Sequence, residues 1–490
     1  MIRSLLCLVF SVFFLVSATA ENLELKILFT ADTHAVFHGS NGGWLKLAPL
    51  IKQESADRTN TLLIDCGDTL QGSIEGAFDR GKAVIKIMNH LKFDFWAIGN
   101  HDIEFGFPTL RERIKEFNGF AAAGNLVIPD NAPQLPTMKI FERRGVKIAV
   151  IGLTLPDMHD DIRISPAFAG KSTGIIENLR SIITTVRAAK PDIIILAMHC
   201  DKYRAGFSIY DIPRNFPEID LILGAHSHQS FPGERINSTW YAQTAAYATE
   251  LGKVSIIFDH KKRHIVRINS ELLPVHPDTA PDSELKLLLK NDFKAVNSFK
   301  HRNIGRAQSP ITGFDPKRRF NNPAGLLMAK AMINSTGAEL ALLSMNSKYE
   351  LRDKISELDV FRLMPYENTV AVIKVTPMEL KAILKEQIVK SSDYYSPVFY
   401  GLNVEFKRKN SSLEIYDHNF KLISDDAKFT LALTNYLMIS RRFPELQKIA
   451  AKHPLPKPPQ EPLLRDCMRD WIKKNSPISP DTEEWLIIKN

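Results

Sequence analysis

The sequence predicts an α/β protein in which a larger layered domain precedes a smaller mixed α/β domain. One observation is length, because 490 residues exceed the roughly 100–200 residues that a typical domain contains. A second observation is alternation. Between residues 23 and 276, short apolar runs suited to buried strands alternate with amphipathic helical patterns.

The predicted elements of the first region are short and regular. The apolar runs predict strands at residues 25–30, 62–64, 95–98, 193–198 and 221–223. The intervening patterns predict helices at residues 44–53, 82–91, 108–117 and 174–189. Pro108 lies at the start of its helix, where the first turn tolerates proline.

A connector and a second mixed region follow the first domain. Residues 283–299 have the pattern of an exposed helix, and a helix at 323–333 precedes strands near Leu340, Val370 and Phe429. The predicted boundaries are a signal peptide at 1–20, a first domain at 21–276, a linker helix at 277–303 and a C-terminal domain at 304–490.

The first twenty residues have the three parts of a secretory signal. Arg3 is followed by an apolar run at 5–16 and by the small residues Ala18 and Ala20 at a cleavage site. An uncleaved membrane anchor is the alternative, but the apolar run is short. We expect a periplasmic or secreted protein with no stable membrane span after cleavage.

Cysteine content and charge exclude several classes of protein. Cys66, Cys200 and Cys467 are too few for a disulfide framework. The net charge of +8 favours anionic partners, but the basic residues are scattered and form no stripe typical of nucleic-acid binding. We expect a monomer that binds a small molecule and no nucleic acid.

The predicted strands of the first region share one feature, which is a polar side chain directly after each of them. Five of the 14 histidines lie in these turns. In α/β sheets, sites form beyond the carboxyl ends of the strands, so these side chains are expected to converge. The residues are Asp32, His34, Asp68, Asn100, His101, His199, His226 and His228.

Their chemistry favours a metal site over separate structural roles. Any one histidine alone is more simply explained as a hydrogen-bonded structural residue, but the whole set is not. Oxygen and imidazole ligands suit zinc, manganese or iron. A carboxylate can bridge two cations, and Asp68 is the residue we assign to that position.

The order and spacing of these motifs resemble the calcineurin-like metallophosphoesterases. The continuation to the C-terminus resembles the bacterial 5′-nucleotidase family, which includes UDP-sugar hydrolases and 2′,3′-cyclic nucleotide phosphodiesterases. The resemblance implies two divalent metal ions. The first would be bound by Asp32, His34, Asp68 and His228. The second would be bound by Asp68, Asn100, His199 and His226.

The resemblance also implies a catalytic histidine that binds no metal. His101 occupies that position, and Glu104 falls where the family usually has an aspartate that supports the ring. The expected reaction is attack of a metal-activated water on a phosphate ester. His101 would stabilise developing charge or protonate the leaving oxygen.

The family's C-terminal domain binds the nucleoside between two aromatic rings. Tyr366 and Asn368 lie in a segment that resembles a Pro-Phe-Gly-Asn motif, and Tyr436 matches the second aromatic. Arg319 falls close to a phosphate-binding arginine of the family. Half-buried structural tyrosines are the alternative interpretation of Tyr366 and Tyr436.

Two family motifs are altered in the second region. A glycine-rich loop that contributes an arginine is replaced by residues 344–348, and a Gly-Gly-Asp-Gly motif is replaced by residues 440–443. These changes predict altered nucleotide selectivity with intact metal chemistry, and the leading prediction is a nucleotide phosphohydrolase. The alternatives are a hydrolase of another anionic ester, such as a sugar phosphate or nucleotide sugar, and a non-catalytic protein that contains metal.

Overall fold

The structure is a computed structural model of the chain. It describes residues 22–128, 133–156, 171–204, 207–315, 318–392, 396–440, 442–452 and 462–489. The predicted signal peptide at 1–20 lies outside the described residues.

The strands of the first region fall into an early and a late group along the chain. The early strands are β1 (Asn22–Thr30), β2 (Thr61–Asp65), β3 (Phe95–Ala97), β4 (Phe120–Ala122), β5 (Leu126–Val127), β6 (Met138–Arg143), β7 (Val146–Leu153) and β8 (Lys171–Ser172). The late strands are β9 (Ile193–Met198), β10 (Tyr203–Arg204), β11 (Phe207–Ser208), β12 (Leu221–Gly224), β13 (Phe231–Ile236), β14 (Thr239–Gln243), β15 (Glu250–Asp259) and β16 (His264–Pro274).

Helices of this region connect the parallel strands and continue into the connector. They are α1 (Trp44–Glu54), α2 (Ile74–Asp79), α3 (Lys82–His90), α4 (Phe107–Glu116), α5 (Ile175–Ala189), α6 (Asp211–Asn215), α7 (Ser283–Leu288) and α8 (Lys290–Lys300). A short 3₁₀ turn spans His101–Ile103.

Two six-stranded sheets form the centre of the first domain. Their strand orders are β16-β15-β1-β2-β3-β4 and β13-β14-β12-β9-β7-β6. In the first sheet β1 to β4 run parallel, and in the second β7, β9, β12 and β14 run parallel. The α/β class is confirmed. The five predicted strands are divided between these two sheets.

Both faces of each sheet are buried, which explains the continuous apolar runs of these strands. On β1, Ile27 and Phe29 belong to the core between the two sheets. Leu28 belongs to the outer core, which Leu47 and Ile87 on the helices also form. The layers are therefore helix, sheet, sheet and helix.

The connector differs from its prediction as a single exposed helix. It is broken at Leu289 into α7 and α8, and its apolar side is buried through Leu285 and Val296. Ion pairs tie α8 to the first domain, with 2.6 Å between the Lys86 Nζ and the carboxylate of Asp292. The connector thus packs against the first domain along its length.

The second region has its own sheets and helices. The strands are β17 (Asn303–Arg306), β18 (Leu340–Met345), β19 (Lys354–Ser356), β20 (Val370–Val375), β21 (Ser396–Tyr400), β22 (Asn403–Lys407), β23 (Ser412–Tyr416), β24 (Phe429–Thr434) and β25 (Leu486–Lys489). The helices are α9 (Pro323–Thr336), α10 (Glu357–Leu363), α11 (Pro377–Val389), α12 (Asn435–Ile439), α13 (Pro444–Ala450) and α14 (Leu464–Asn475).

The sheet at the centre of this region has the order β20-β24-β18-β21. One apolar core lies between it and helices α9 and α14, and a second core lies on the side of α11 and α13. A smaller sheet, β23-β22-β25, completes the region. Among the described residues, no helix is both long and apolar enough to cross a bilayer.

Candidate metal centre

The site lies where strands of both sheets end at the same edge of the molecule. Five strand ends supply its side chains: β1, β2 and β3 from one sheet, and β9 and β12 from the other. The structure brings together all seven residues that the sequence predicted as metal ligands. These are Asp32, His34, Asp68, Asn100, His199, His226 and His228.

The first of two groups consists of Asp32, His34 and His228. One donor atom from each lies within 4.8 Å of the others, a spacing that a single metal ion can occupy. The Nε2 atoms of His34 and His228 are 3.0 Å apart. The His228 Nε2 lies 3.8 Å from a carboxylate oxygen of Asp32.

The second group consists of Asp68, His199 and His226, again within 4.8 Å of one another. The Nε2 of His199 is 3.1 Å from the Oδ2 of Asp68. It is also 3.1 Å from the side-chain oxygen of Asn100, which therefore belongs to this group.

Asp68 belongs to the second group, and its backbone carbonyl accepts a hydrogen bond from the N–H of His34 in the first group at 2.9 Å. Its Oδ1 accepts a hydrogen bond from the backbone N–H of His101 at 2.7 Å. Its Oδ2 is buried without a hydrogen bond of ordinary geometry in the described part of the chain, and imidazole nitrogens surround it. Buried carboxylate oxygens are normally satisfied, so this atom is suited to a cation.

Two ligand imidazoles are held with their Nε2 atoms facing the site. The Nδ1 of His34 lies 2.9 Å from the carbonyl oxygen of Gln71, and the Nδ1 of His199 lies 2.9 Å from that of Cys66. A carbonyl can only accept, so each Nδ1 carries hydrogen. This arrangement leaves Nε2 available to a metal, as is usual for metal-binding histidines.

The backbone of the site is strained in a consistent way. Five of the predicted ligands, which are not glycine, have positive φ between 50° and 73°. They are Asp32, His34, Asp68, His226 and His228. Such conformations cost energy and concentrate at functional sites. Gly99 permits the closest approach, because a Cβ there would lie 2.3 Å from the backbone nitrogen of Asp68.

Burial shifts the pKa values of several residues in the site. It raises the pKa of Asp32 to about 8 and lowers the pKa of His34 to about 3. Burial alone would raise the pKa of Asp68, but the surrounding imidazoles, His199 foremost, hold it well below its usual range. The pocket therefore concentrates carboxyl groups and imidazoles, a donor set suited to divalent cations.

His101 and Glu104 form a pair beside the metal groups. The Nδ1 of His101 is 2.7 Å from the Oε1 of Glu104, whose side chain is 1% exposed. The His101 Nε2 faces the site, 3.9 Å from the Oδ2 of Asp68. Glutamate thus reaches the ring despite its extra methylene, because the 3₁₀ turn brings position 104 under the imidazole.

Sequence reasoning missed two supports of the site. The buried carboxylate of Asp102 accepts hydrogen bonds from four backbone N–H groups, those of residues 68, 69, 70 and 99, at 2.8–3.0 Å. Asp102 directly follows the predicted site residues Asn100 and His101, so its position was a usable signal. The ring of Tyr247 packs 5.6 Å from that of His34 and 5.5 Å from that of His228, and no motif marked it.

Three predicted substrate residues lie on two adjoining segments, a loop turn and the first turn of a helix. Tyr366 and Asn368 belong to the turn that follows α10, and Tyr436 opens α12. The turns meet where Asn435 donates its N–H to the carbonyl of Thr369 at 3.0 Å and accepts the Thr369 N–H at 3.1 Å.

One of these turns reaches the metal centre. The side-chain amide of Gln71, three residues after Asp68, donates to the carbonyl of Pro365 at 2.9 Å. Burial, and secondarily Tyr366, raise the pKa of Tyr247 beside the metal groups. Tyr366 therefore lies at the edge of the candidate metal centre.

Arg319 lies elsewhere in the second region. It lines a cavity of about 370 Å³ together with Arg318, Phe320, Arg408 and residues of β25. All residues that line this cavity come from the second region, and the metal groups are not among them. Its role as a phosphate-binding arginine stays a prediction.

Comparison with known proteins identifies both regions. Residues 25–230 match the calcineurin-like phosphoesterase family, and residues 303–442 match the 5′-nucleotidase C-terminal domain. Protein UshA of Yersinia enterocolitica is 26% identical over 445 residues, which cover 76% of this chain and 78% of that protein. The 2′,3′-cyclic-nucleotide 2′-phosphodiesterase/3′-nucleotidase of Haemophilus influenzae is 21% identical, covering 96% of this chain and 88% of that protein.

Solved structures show the same fold. A chain from Staphylococcus aureus superimposes with a TM-score of 0.77 at 18% identity, covering 96% of this chain and 100% of that chain. A 5′-nucleotidase precursor from Thermus thermophilus gives a TM-score of 0.65 at 18% identity, with coverage of 96% and 100%.

The first domain and its residue groups define a calcineurin-like metallophosphoesterase, a class of enzymes that hydrolyse phosphoric esters. With its C-terminal domain, the chain belongs to the two-domain 5′-nucleotidase family of that class. The family assignment from the sequence is thereby confirmed.

Proposed function

We propose that this chain is an exported phosphohydrolase that binds two divalent metal ions and cleaves phosphate esters of nucleotides. The observation that carries the proposal is the pair of residue groups, each with its donor atoms within 4.8 Å of one another, the second of which includes Asp68. The nucleotide part rests on the relatives, whose names include nucleotidases and cyclic-nucleotide phosphodiesterases.

In this proposal, the residues divide into two metal sites that share Asp68. One site would consist of Asp32, His34 and His228, which lie together, and of Asp68, which the family resemblance assigns to both sites. The other consists of Asp68, Asn100, His199 and His226. Zinc, manganese and iron all suit such a mixed oxygen and nitrogen set. When bound, two such ions supply a Lewis acid for the phosphoryl oxygens and lower the pKa of a water.

His101 would act on the phosphoryl group from its position beside Asp68. Its Nε2 faces the site, while Glu104 holds Nδ1 and so fixes the orientation of the ring. A proton on Nε2 can be donated to the leaving oxygen or can stabilise charge on the transferring group.

Tyr366 and Tyr436 would bind the base. Aromatic rings stack on any base, because every base has a π-face. The direct contact of the Tyr366 turn with Gln71 supports a base site next to the metal centre. Asn368, buried in the same turn, would set the shape of that site.

Domain limits and export complete the proposal. We place the first domain at 21–276, the linker at 277–303 and the substrate domain at 304–490, in line with the family matches at 25–230 and 303–442. The signal-like composition of residues 1–20 supports export. Mass spectrometry of the mature N-terminus after expression with a secretion system tests the cleavage.

One assay separates the possible outcomes. Purified protein with manganese or zinc, with and without chelator, is tested on nucleoside monophosphates, cyclic nucleotides, nucleotide sugars and glycerol phosphate. We expect metal-dependent phosphate release from nucleotides. Release from the other esters alone would favour a different anionic substrate, and no release from any of them would favour a non-catalytic protein.

A further inference from the structure

Two side chains hold the turn at residues 364–366 by donating hydrogen bonds to its three successive backbone carbonyl groups. Those of Met364 and Tyr366 accept hydrogen bonds from one guanidinium, that of Arg465, at 3.2 and 3.1 Å. The carbonyl between them, that of Pro365, accepts the hydrogen bond from Gln71. Both domains therefore anchor the backbone that carries Tyr366.

Arg465 is placed for this task by the start of α14. The backbone N–H of Leu464, its neighbour, donates to the carbonyl of Asn368 at 2.8 Å. The Arg465 side chain is 11% exposed, and its guanidinium lies 5.2 Å from the centre of the Phe361 ring. The planar guanidinium of arginine carries several N–H donors and can bond to several acceptors at once, whereas the ammonium group of lysine lacks this planar arrangement.

Glu367 gives Arg465 a third partner inside the same turn. The two side chains form an ion pair, and that of Glu367 is only 7% exposed. Glu367 stands where the family motif described above has glycine, so its charge is a feature of this chain. Burial, and secondarily the nearby Glu104, raise the pKa of Glu367, whereas Arg465 lowers it.

We propose that Arg465 is a positioning residue that fixes the turn carrying Tyr366 against the metal centre and thereby sets the affinity for the nucleoside part of the substrate. This inference rests on the proposed nucleotidase function. In the described part of the chain, the hydrogen bonds of Arg465 go to residues of the turn, and none goes to a candidate metal ligand. Its loss would therefore weaken base binding and leave the chemical step intact.

The test compares two substrates and two arginines of the same helix. Arg465→Met removes the guanidinium that bonds to the turn. Arg469→Met is the control, because it removes the guanidinium of another α14 arginine, which pairs with Glu357 and Asp466. The enzyme is assayed on a nucleoside monophosphate and on glycerol phosphate, which has no base.

For Arg465→Met we expect KM for the nucleotide to rise about tenfold or more, as for loss of base stacking. The nucleotide kcat and the KM for glycerol phosphate should stay within about threefold of wild type. Arg469→Met should leave both KM values unchanged. An unchanged nucleotide KM in Arg465→Met, or an equal rise for both substrates, overturns the proposal.

Arg465→Met leaves Glu367 buried without its partner, and this could prevent folding. The double variant Arg465→Met/Glu367→Gln removes both charges, and circular dichroism verifies its fold. It lacks the two carbonyl hydrogen bonds, so its nucleotide KM should still be raised about tenfold. A wild-type KM in this variant contradicts the proposal.

Failure of the positioning role and failure of the proposed function give different results. A wild-type enzyme that hydrolyses nucleotides alongside an unaffected Arg465→Met variant refutes only the positioning role. If the wild type hydrolyses no ester, the proposed function fails. Calorimetric binding of a nucleoside to wild type and Arg465→Met then tests the positioning role alone, and equal or undetectable affinities refute it.

Discussion

The metal centre and the base-binding turn are built on different principles. The metal centre takes side chains from five strand ends, most of them buried, and fixes them by backbone hydrogen bonds and left-handed φ angles. The turn that carries Tyr366 is a loop between elements, anchored by Arg465 and Gln71. The metal centre is therefore part of the sheet structure, whereas the turn depends on the side chains of Arg465 and Gln71.

The comparison predicts that damage to the metal centre abolishes activity and that damage to the turn changes only affinity. Asp68→Ala should have the largest effect, because both proposed metal sites share this carboxylate. We expect turnover below about 10⁻⁴ of wild type, the upper limit of loss typical for a single acid or base. Metal analysis after dialysis should show that both ions are lost, whereas Asp278→Ala, at an exposed position, should retain them.

His101→Ala tests whether chemistry and metal binding are separable within the centre. Because His101 is not a proposed ligand, the variant should keep its metal content while kcat falls about 10²–10⁴-fold. The exposed His276→Ala variant serves as the control. Full activity of His101→Ala, measured under saturating metal, would remove this residue from the mechanism.

Tyr366→Ala should have a smaller effect that is confined to binding. We expect KM for nucleotides to rise about 10–100-fold, since stacking on one aromatic ring contributes about 1–3 kcal/mol per base. KM for glycerol phosphate should not change. Tyr416→Ala on β23 is the control, and equal effects of the two tyrosine variants would contradict a stacking role for Tyr366.

Arg319→Ala should have the smallest effect, because Arg319 lines a cavity formed within the second region. We expect less than about threefold change in nucleotide KM, similar to Arg408→Ala in the same cavity. A bidentate phosphate contact would contribute more than about tenfold. A rise of that size would support the phosphate-binding role predicted for Arg319 from the sequence and place its cavity in the substrate path.

The sequence predicted the metal centre better than the turn for a physical reason. Asp32 and His199 follow apolar runs that only buried strands explain, and parallel strands bring their carboxyl ends to one edge. It did not show that β1 and β9 belong to two packed sheets, because a strand buried on both faces looks alike in either arrangement. The break in the connector at Leu289 likewise follows from packing that no local pattern records.

The residues that hold the turn in place could not be predicted from the sequence. Arg465 lies 99 residues from Tyr366, and an arginine on an amphipathic helix is usually a solvated residue. Glu367 could have drawn notice as a charge in place of glycine, but its buried partner appears only in three dimensions. Asp102 would have been easier to predict, because it directly follows Asn100 and His101 in the sequence.

The central claim is that two divalent ions occupy the centre around Asp68, and metal analysis of active protein tests it most directly. Inductively coupled plasma mass spectrometry of the purified enzyme should find close to two zinc, manganese or iron ions per chain. A chelator should remove them and phosphate release together, and added metal should restore both. Full hydrolytic activity in protein that contains no bound metal would contradict the account.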